Sequence, residues 1–461
     1  MELTEDPIPK LIPKIAVPFA LGMIFNTMFN VTDTFFAGRL STDALAALSL
    51  SFPMFFLVFG PGIGIQTGAS ALISNAIGRG DDDAAIAFQL QAITLGVIVA
   101  GVIGVALFVG LPGLFRLYGA DGEVLAGGLR YMRVIAAFAV PIVLAQVVNA
   151  GLVARGDTKA FRNILFAMAV ANVALDPLLM FGLRVAGVQV VPMLREAGTA
   201  LATGLLYTLA VVYLVLRGRK AGCYAGATFR SFLPERSRMR DLIEQSAPAT
   251  LDFLIMTLGA FVINYFVAEY GRDAIAAYGA GLRIEQIALL PMFGISTALA
   301  TLVGQNNGAG RIDRVHESFS TALRISIVVA VLILTPVIAA SGVLLRVFTD
   351  TGEVVRIGRR YLYIQAVTYF SYTLMALSGA VLRGIKRPAM IMWVGAYRQV
   401  AAPLVVFPLF ASILGWGLDG VFWGIAIVNW SAAIWTWFYA RHRLSKIESE
   451  STNEAPVTPP E

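Results

Sequence analysis

The chain has 461 residues, 57% of them hydrophobic and only 14% charged, with a mean hydropathy of +0.75, whereas an ordinary soluble domain is roughly a quarter charged. Its single cysteine, Cys223, excludes an internal disulfide and a cysteine metal cluster, and its two histidines, His316 and His442, fall in expected loops, which excludes a histidine proton switch within a membrane. The net charge of +6 is spread over many short loops, so it reads as membrane topology and not as a nucleic-acid-binding face.

Met1 to Lys10 is polar, so no cleaved signal peptide is expected and the first apolar run is a retained helix. A bilayer core of about 30 Å takes roughly 20 apolar residues per helix. Runs of that kind fall near 11–37, 44–74, 88–112, 124–152, 160–184, 190–217, 240–268, 273–303, 316–341, 354–383, 388–414 and 418–441, which predicts twelve transmembrane helices. The Gly- and Pro-rich second and eighth segments are expected to be bent or partly broken. Asp81-Asp82-Asp83 has the look of a metal-binding run, but after Gly78-Arg79-Gly80 it reads as a solvated loop capping the third helix, and no metal site is expected.

The longest basic, polar stretch runs from Arg217 to Arg240. It divides the chain into an N-lobe (1–217, helices 1–6), a cytoplasmic linker (218–239), a C-lobe (240–446, helices 7–12) and a disordered cytoplasmic tail (447–461) carrying Pro456, Pro459 and Pro460. An even number of spans puts both termini on one side. Lys and Arg favour that side by roughly two to one, so both termini are expected in the cytoplasm, with the chain in the cell inner membrane.

The halves repeat one another. Asp43-Ala44-Leu45-Ala46-Ala47 matches Asp273-Ala274-Ile275-Ala276-Ala277 at an offset of 230, and Pro18 meets Pro248, Leu72 meets Leu302 and Gly78 meets Gly308 at the same offset. Two halves of six helices each, entering in the same orientation, imply an all-α membrane fold of two lobes related by pseudo-two-fold symmetry along the membrane normal. Polar chemistry sits in the first half: at 230 Asp33 corresponds to Ile263, Asn26 to Met256 and Asn30 to Ala260, and further on, where Pro177 meets Pro408 at 231, Asp176 corresponds to Phe407 and Asn172 to Pro403.

Asn26, Asn30 and Asp33, at i, i+4 and i+7, share one face of the first helix, and Asn172 and Asp176, at i and i+4, share a face of the fifth. At 1.5 Å per residue both carboxylates lie roughly 22–24 Å from the cytoplasmic end, which allows a common site. A carboxylate within the bilayer costs about 2.5–3.5 kcal/mol on insertion scales, so it normally faces a cavity and marks an ion or proton path. Desolvation and a second carboxylate both favour protonation, while two carboxylates with amide and hydroxyl oxygens also suit a hard cation such as Na+; the residues leave both open. Two plainer readings stand beside this: Asp33 as an interfacial residue, and Asp176 as a partner for backbone groups freed by Pro177. Asp252, four residues after Pro248, and the Arg283 and Glu285 pair read as structural or gating charges whose roles the sequence leaves unassigned.

The chain resembles the multidrug and toxic compound extrusion (MATE) transporters of the prokaryotic branch. Asn30-Val31-Thr32-Asp33 is similar to the first-helix aspartate motif of that family, Leu45-Ala46-Ala47 with Pro53 to the start of its second helix, and Gly68 to Gly78 and Gly304-Gln305-Asn306-Asn307-Gly308-Ala309-Gly310 to its paired loop motifs. Arg155-Gly156-Asp157 resembles the motif after the fourth helix, and Asn172-Val173-Ala174-Leu175-Asp176-Pro177 is the most specific match. The resemblance implies a two-lobe, non-enzymatic antiporter that exports organic, often cationic, drug-like compounds against inward H+ or Na+, without a cofactor and as a monomer. It implies an ion or proton site of Asp33, Asn172, Asp176 and Thr203, with Asn26, Asn30 and Phe29 on the polar or substrate-facing side. Phe29 stands where relatives often have tyrosine, and no acid stands near Met256, where other branches carry a glutamate. The alternative function is that of a flippase for a lipid-linked saccharide.

Overall fold

The computed structural model describes residues 2–186 and 188–453. Three long helices, α1 (Ile8–Leu40), α2 (Thr42–Gly78) and α3 (Asp82–Leu117), are followed by α4 (Gly122–Ala137), α5 (Ala139–Ala154) and α6 (Lys159–Phe181). A hairpin of β1 (Leu183–Val185) and β2 (Val188–Val191) leads into α7 (Glu196–Lys220). The second half comprises α8 (Arg236–Ala268), α9 (Arg272–Gly308), α10 (Ile312–Ala339), the short α11 (Ser341–Arg346) and α12 (Gly352–Gly384). Next come α13 (Ala389–Ala396) and α14 (Ala402–Pro408), continued by π-helical turns at Tyr397–Ala401 and Leu409–Ile413, and finally α15 (Gly417–Asn453).

Among the described residues, ten helices are long and apolar enough to cross a bilayer, and the pair α4 and α5, bent by 49°, makes an eleventh. The one predicted span left over, the tenth in chain order (354–383), is α12, 33 residues long. Its composition is less apolar because Gln365, Thr368, Ser371, Thr373 and Ser378 are turned inward and buried. The repeat is legible in the helix bounds: α2 and α9 each have 37 residues and begin 230 apart, and α3 and α10, like α6 and α13, start 230 apart.

Several expectations need correction. Neither α2 nor α9 is broken: both run unbroken through Pro53, Pro61 and Pro291, since a proline removes one N–H while the rest of a 37-residue ladder survives. The break falls instead at Phe138, between α4 and α5. The sixth span starts at Glu196 and not near 190, because the β-branched run Val188–Val191 pairs back onto Leu183–Val185 and Pro192 follows it. His316 and His442 lie on α10 and α15, whose polar ends extend beyond the apolar runs. Helix α15 continues to Asn453, past the 447 at which a disordered tail was expected; residues 454–461 lie outside the described residues.

Two compact units are present, with boundaries inside helices. The first holds Pro18–Ile73 and Asp81–Leu254. In it Gly60, Gly64 and Gly68, at four-residue steps along α2, let α8 approach so closely that a Cβ at these positions would overlap Phe253, Thr250 and Ser246. The stretch after α7 is tied to α3, where Gln91 donates to the carbonyls of Ser231 (3.1 Å) and Leu233 (2.8 Å) and accepts from the Glu235 N–H (2.9 Å). Asp81 caps α3 by accepting from Ala84 N at 2.9 Å. The second unit holds the chain up to Val17, Ser74–Gly80 and everything from Ile255 onward. Its core joins Ile8, Ile12 and Ile15 of α1 to Leu299 and Leu302 of α9 and to Val381 of α12. Asn75, from the end of α2, donates to Gly384 O (2.7 Å) and accepts from Asn307 (2.6 Å).

Candidate functional site

The first unit brings the two predicted acids together. Asp33 projects from α1, and Asn172 and Asp176 from one face of α6, one turn apart; Asp33 is 7% exposed and the other two are fully buried. Asn172 Nδ2 donates to Asp33 Oδ1 at 2.6 Å and to Asp176 Oδ2 at 3.3 Å, and it approaches the Phe29 carbonyl at 3.5 Å. One amide therefore bridges two carboxyl groups from different helices. Asp176 Oδ1 and Asn172 Oδ1 are buried without a donor.

The other expected residues divide. Thr203 on α7 is buried in the same unit with an unpartnered hydroxyl and bonds neither aspartate. The Phe29 ring packs edge-on against Tyr207 with centroids 6.4 Å apart. Asn30 turns its amide back onto the Asn26 carbonyl of its own helix (2.8 Å), and both asparagines are only half-buried, so neither joins the aspartates. Sequence reasoning missed two neighbours: Tyr131 feels the charge of both aspartates and Tyr207 that of Asp33. Thr199, on the same helix as Tyr207, is buried with an unpartnered hydroxyl. Thr199, Thr203 and Tyr207 lie at four-residue steps on α7, a polar spacing that was visible in the sequence.

Among the described residues no lysine or arginine pairs with Asp33 or Asp176 or stands among the charges that act on them. Two buried carboxyl groups without a cation cannot both stay ionised at low cost. The arrangement can hold a proton, or a cation ligated by carboxyl, amide and hydroxyl oxygens; among the described residues no cluster of three or more His, Cys, Asp or Glu is present.

The second unit carries a different polar cluster. Glu285 on α9 is buried and accepts from Tyr361 Oη of α12 at 2.5 Å, with Tyr372 also bonded to it. Arg398, in the π-helical turn, lies over the Tyr372 ring at 5.8 Å and donates to Asn429 of α15 at 3.1 Å, while its Nε is buried and unpartnered. Arg283 does not pair with Glu285: it is exposed and lies over Phe348 at 5.7 Å. Asp252 is half-buried.

Comparison with known proteins follows the same pattern. The MatE family model matches twice, over residues 18–178 and 248–407. The chain is 29% identical to a protein of Shewanella oneidensis named FAD transporter, over 91% of this chain and 90% of that one. It is 24% identical to the probable multidrug resistance protein NorM of Thermotoga maritima over 83% and 82% of the two chains, and 25% identical to the multidrug export protein MepA of Staphylococcus aureus over 71% of each. Its fold is similar to a crystal structure of MATE in the bent conformation (TM-score 0.89, 24% identity, 98% of both chains). It is also similar to a MOP superfamily transporter of Pyrococcus furiosus (TM-score 0.88, 24% identity, 97% and 98%).

Proposed function

The chain belongs to the MatE family of multi-pass membrane transporters, and from that premise we propose that it is a secondary antiporter exporting an organic, drug-like compound in exchange for inward H+ or Na+. The observation that carries this reading is the pair Asp33 and Asp176 on one Asn172 amide, buried and without a basic partner. Loading that pair with a proton or cation removes the cost of two uncompensated buried charges and tightens α1 against α6; unloading reverses it. The two states bias the halves 1–217 and 240–446 between outward- and inward-open forms. In this reading the protein works as a monomer in the cell inner membrane with both termini cytoplasmic, and Thr203 supplies a hydroxyl ligand to the loaded form.

A second reading concerns the substrate. The 29% relative named FAD transporter points to an anionic, aromatic dinucleotide, and Arg398 with its unpartnered Nε over the Tyr372 ring offers a cation and an aromatic face for such a molecule. Transport into vesicles of FAD and of a lipophilic organic cation, each measured with wild type and Arg398→Gln, separates the two: loss of FAD transport alone supports the anionic substrate, and unchanged FAD transport removes it.

A further inference from the structure

Four arginines converge on one cleft of the second unit. Arg346, at the end of α11, and Arg356, Arg359 and Arg360, in the first turns of α12, line a cavity of about 400 Å3 with Tyr363, and no carboxylate is among its lining residues. Glu353 neutralises Arg356 (2.8 Å to Nε), and Asp419 neutralises Arg360 (2.8 Å). Among the described residues Arg359 donates to the neutral Tyr363 hydroxyl (2.9 Å) while lying over its ring, and neither Arg359 nor Arg346 makes an ion pair. Two guanidinium charges thus share a concave surface without a counter-charge. The start of α12 adds to the field, because Gly352 lines the cleft and Thr351 offers no side-chain cap to the first-turn N–H groups.

The internal repeat separates what holds the fold from what is additional. At the offset of 230, Arg116, Gly122, Glu123, Arg130 and Tyr131 correspond to Arg346, Gly352, Glu353, Arg360 and Tyr361. Arg130 is held by Glu196 in the first turn of α7 (3.0 Å), as Arg360 is held by Asp419 in the first turn of α15. That pair fastens one helix start to another in each half. Ala126 and Leu129 stand where the second half has Arg356 and Arg359. Fastening helices therefore does not account for the extra positive charge.

The surroundings say what kind of anion suits the cleft. Arg359, Tyr363 and Val367 follow one another at four-residue steps on one face of α12, and Tyr363 and Val367 are 42% and 48% exposed. Beside Arg346, Val343 and Val347 are 69% and 75% exposed. A floor of arginines that continues into open apolar wall matches an amphiphile with an anionic head, whereas a free anion needs no such wall. We propose that this cleft binds the phosphate headgroup of an anionic phospholipid, with its acyl chains along Tyr363, Val367, Val343 and Val347.

The test uses the full-length protein in neutral detergent, measuring retained lipid by native mass spectrometry and the thermal midpoint with added phosphatidylglycerol, phosphatidylcholine or inorganic phosphate. Phosphatidylglycerol should be retained and should raise the midpoint, while the other two should not. The double variant Arg346→Gln, Arg359→Gln should bind phosphatidylglycerol about tenfold more weakly, and Arg116→Gln, at the repeat-related position, should leave binding unchanged. Equal retention of the two lipids, or undiminished binding in the double variant, overturns the proposal. So does stabilisation by inorganic phosphate equal to that by phosphatidylglycerol, since it makes the cleft a site for a free anion. Should the double variant fail to fold, Arg359→Lys against Arg359→Gln decides: lysine keeps binding and glutamine weakens it, and equal binding in the two is the contrary result.

Discussion

Asn172 donates to Asp33 at 2.6 Å across 139 positions of sequence, and the same nitrogen reaches Asp176 at 3.3 Å. A single amide thus couples a carboxyl group on α1 to one on α6.

Removing that amide should uncouple the pair. Asn172→Ala takes away a hydrogen bond to each carboxyl group, each worth about 1.5–3 kcal/mol where the acceptor is charged. Ion-driven efflux should fall at least tenfold while the purified protein keeps its helical content and monodispersity. Full activity in reconstituted Asn172→Ala would show that the bridge has no part in coupling.

The close approach of α2 and α8 sets a packing prediction. Gly64→Val places a side chain onto Thr250, against backbone as well as hydroxyl, and should destabilise by about 1–3 kcal/mol or block insertion outright. Gly101→Ala, on α3 where nothing lies within 4 Å, should be neutral. Thermal midpoints of the two variants make the comparison, and equal midpoints would mean that the crossing is looser than described.

The acid that fastens α4 to α7 should matter more than its exposed neighbours. Glu196 is 1% exposed and takes Arg130 at 3.0 Å and Arg195 at 3.7 Å. Glu196→Ala removes the buried acid between them, while both arginines, 34% and 40% exposed, keep Glu123; the change should cost about 1 kcal/mol once screening is allowed for. Glu353→Ala, which breaks only an exposed pair on α12, should leave the unfolding midpoint where it was.

Cys223 should resist labelling. It is 1% exposed, and burial pushes its thiol above the ordinary range, opposed by Arg155 and reinforced by Asp157. A raised thiol means less thiolate at pH 7 than an exposed cysteine has, and more as pH climbs through the shifted value. Maleimide should react slowly at pH 7, faster at pH 9 and fully after denaturation. Rapid modification of the folded protein at pH 7 would place the thiol in solvent.

Much of the architecture was legible because lipid imposes it. Eleven of the twelve apolar runs became helices or a bent pair long and apolar enough to span among the described residues, the run near 354–383 became the more polar α12, and the 230-residue offset reappeared in the bounds of α2 and α9. Helical spacing placed Asn172 and Asp176 on one face of their helix, and they share that face. The bend at Phe138 does carry a sequence mark that was passed over, Pro141, which lacks the N–H that would bond the Ala137 carbonyl at the end of α4, whereas Pro53 and Pro61, which did suggest a break, sit in an unbroken helix. Asn26 and Asn30 shared a helical period with Asp33, but period does not say which amide bonds its own backbone, as Asn30 does. Glu285 was visible, yet its partners Tyr361, Tyr372 and Arg398 come from other helices, and no local pattern links them.

The most direct measurement is efflux by Asp176→Asn in proteoliposomes, with the pH gradient and the Na+ gradient imposed separately. The account predicts that wild type responds to one of the two gradients and that the variant loses at least nine-tenths of that response while still binding substrate. Gradient-driven efflux by Asp176→Asn at the wild-type rate would contradict it.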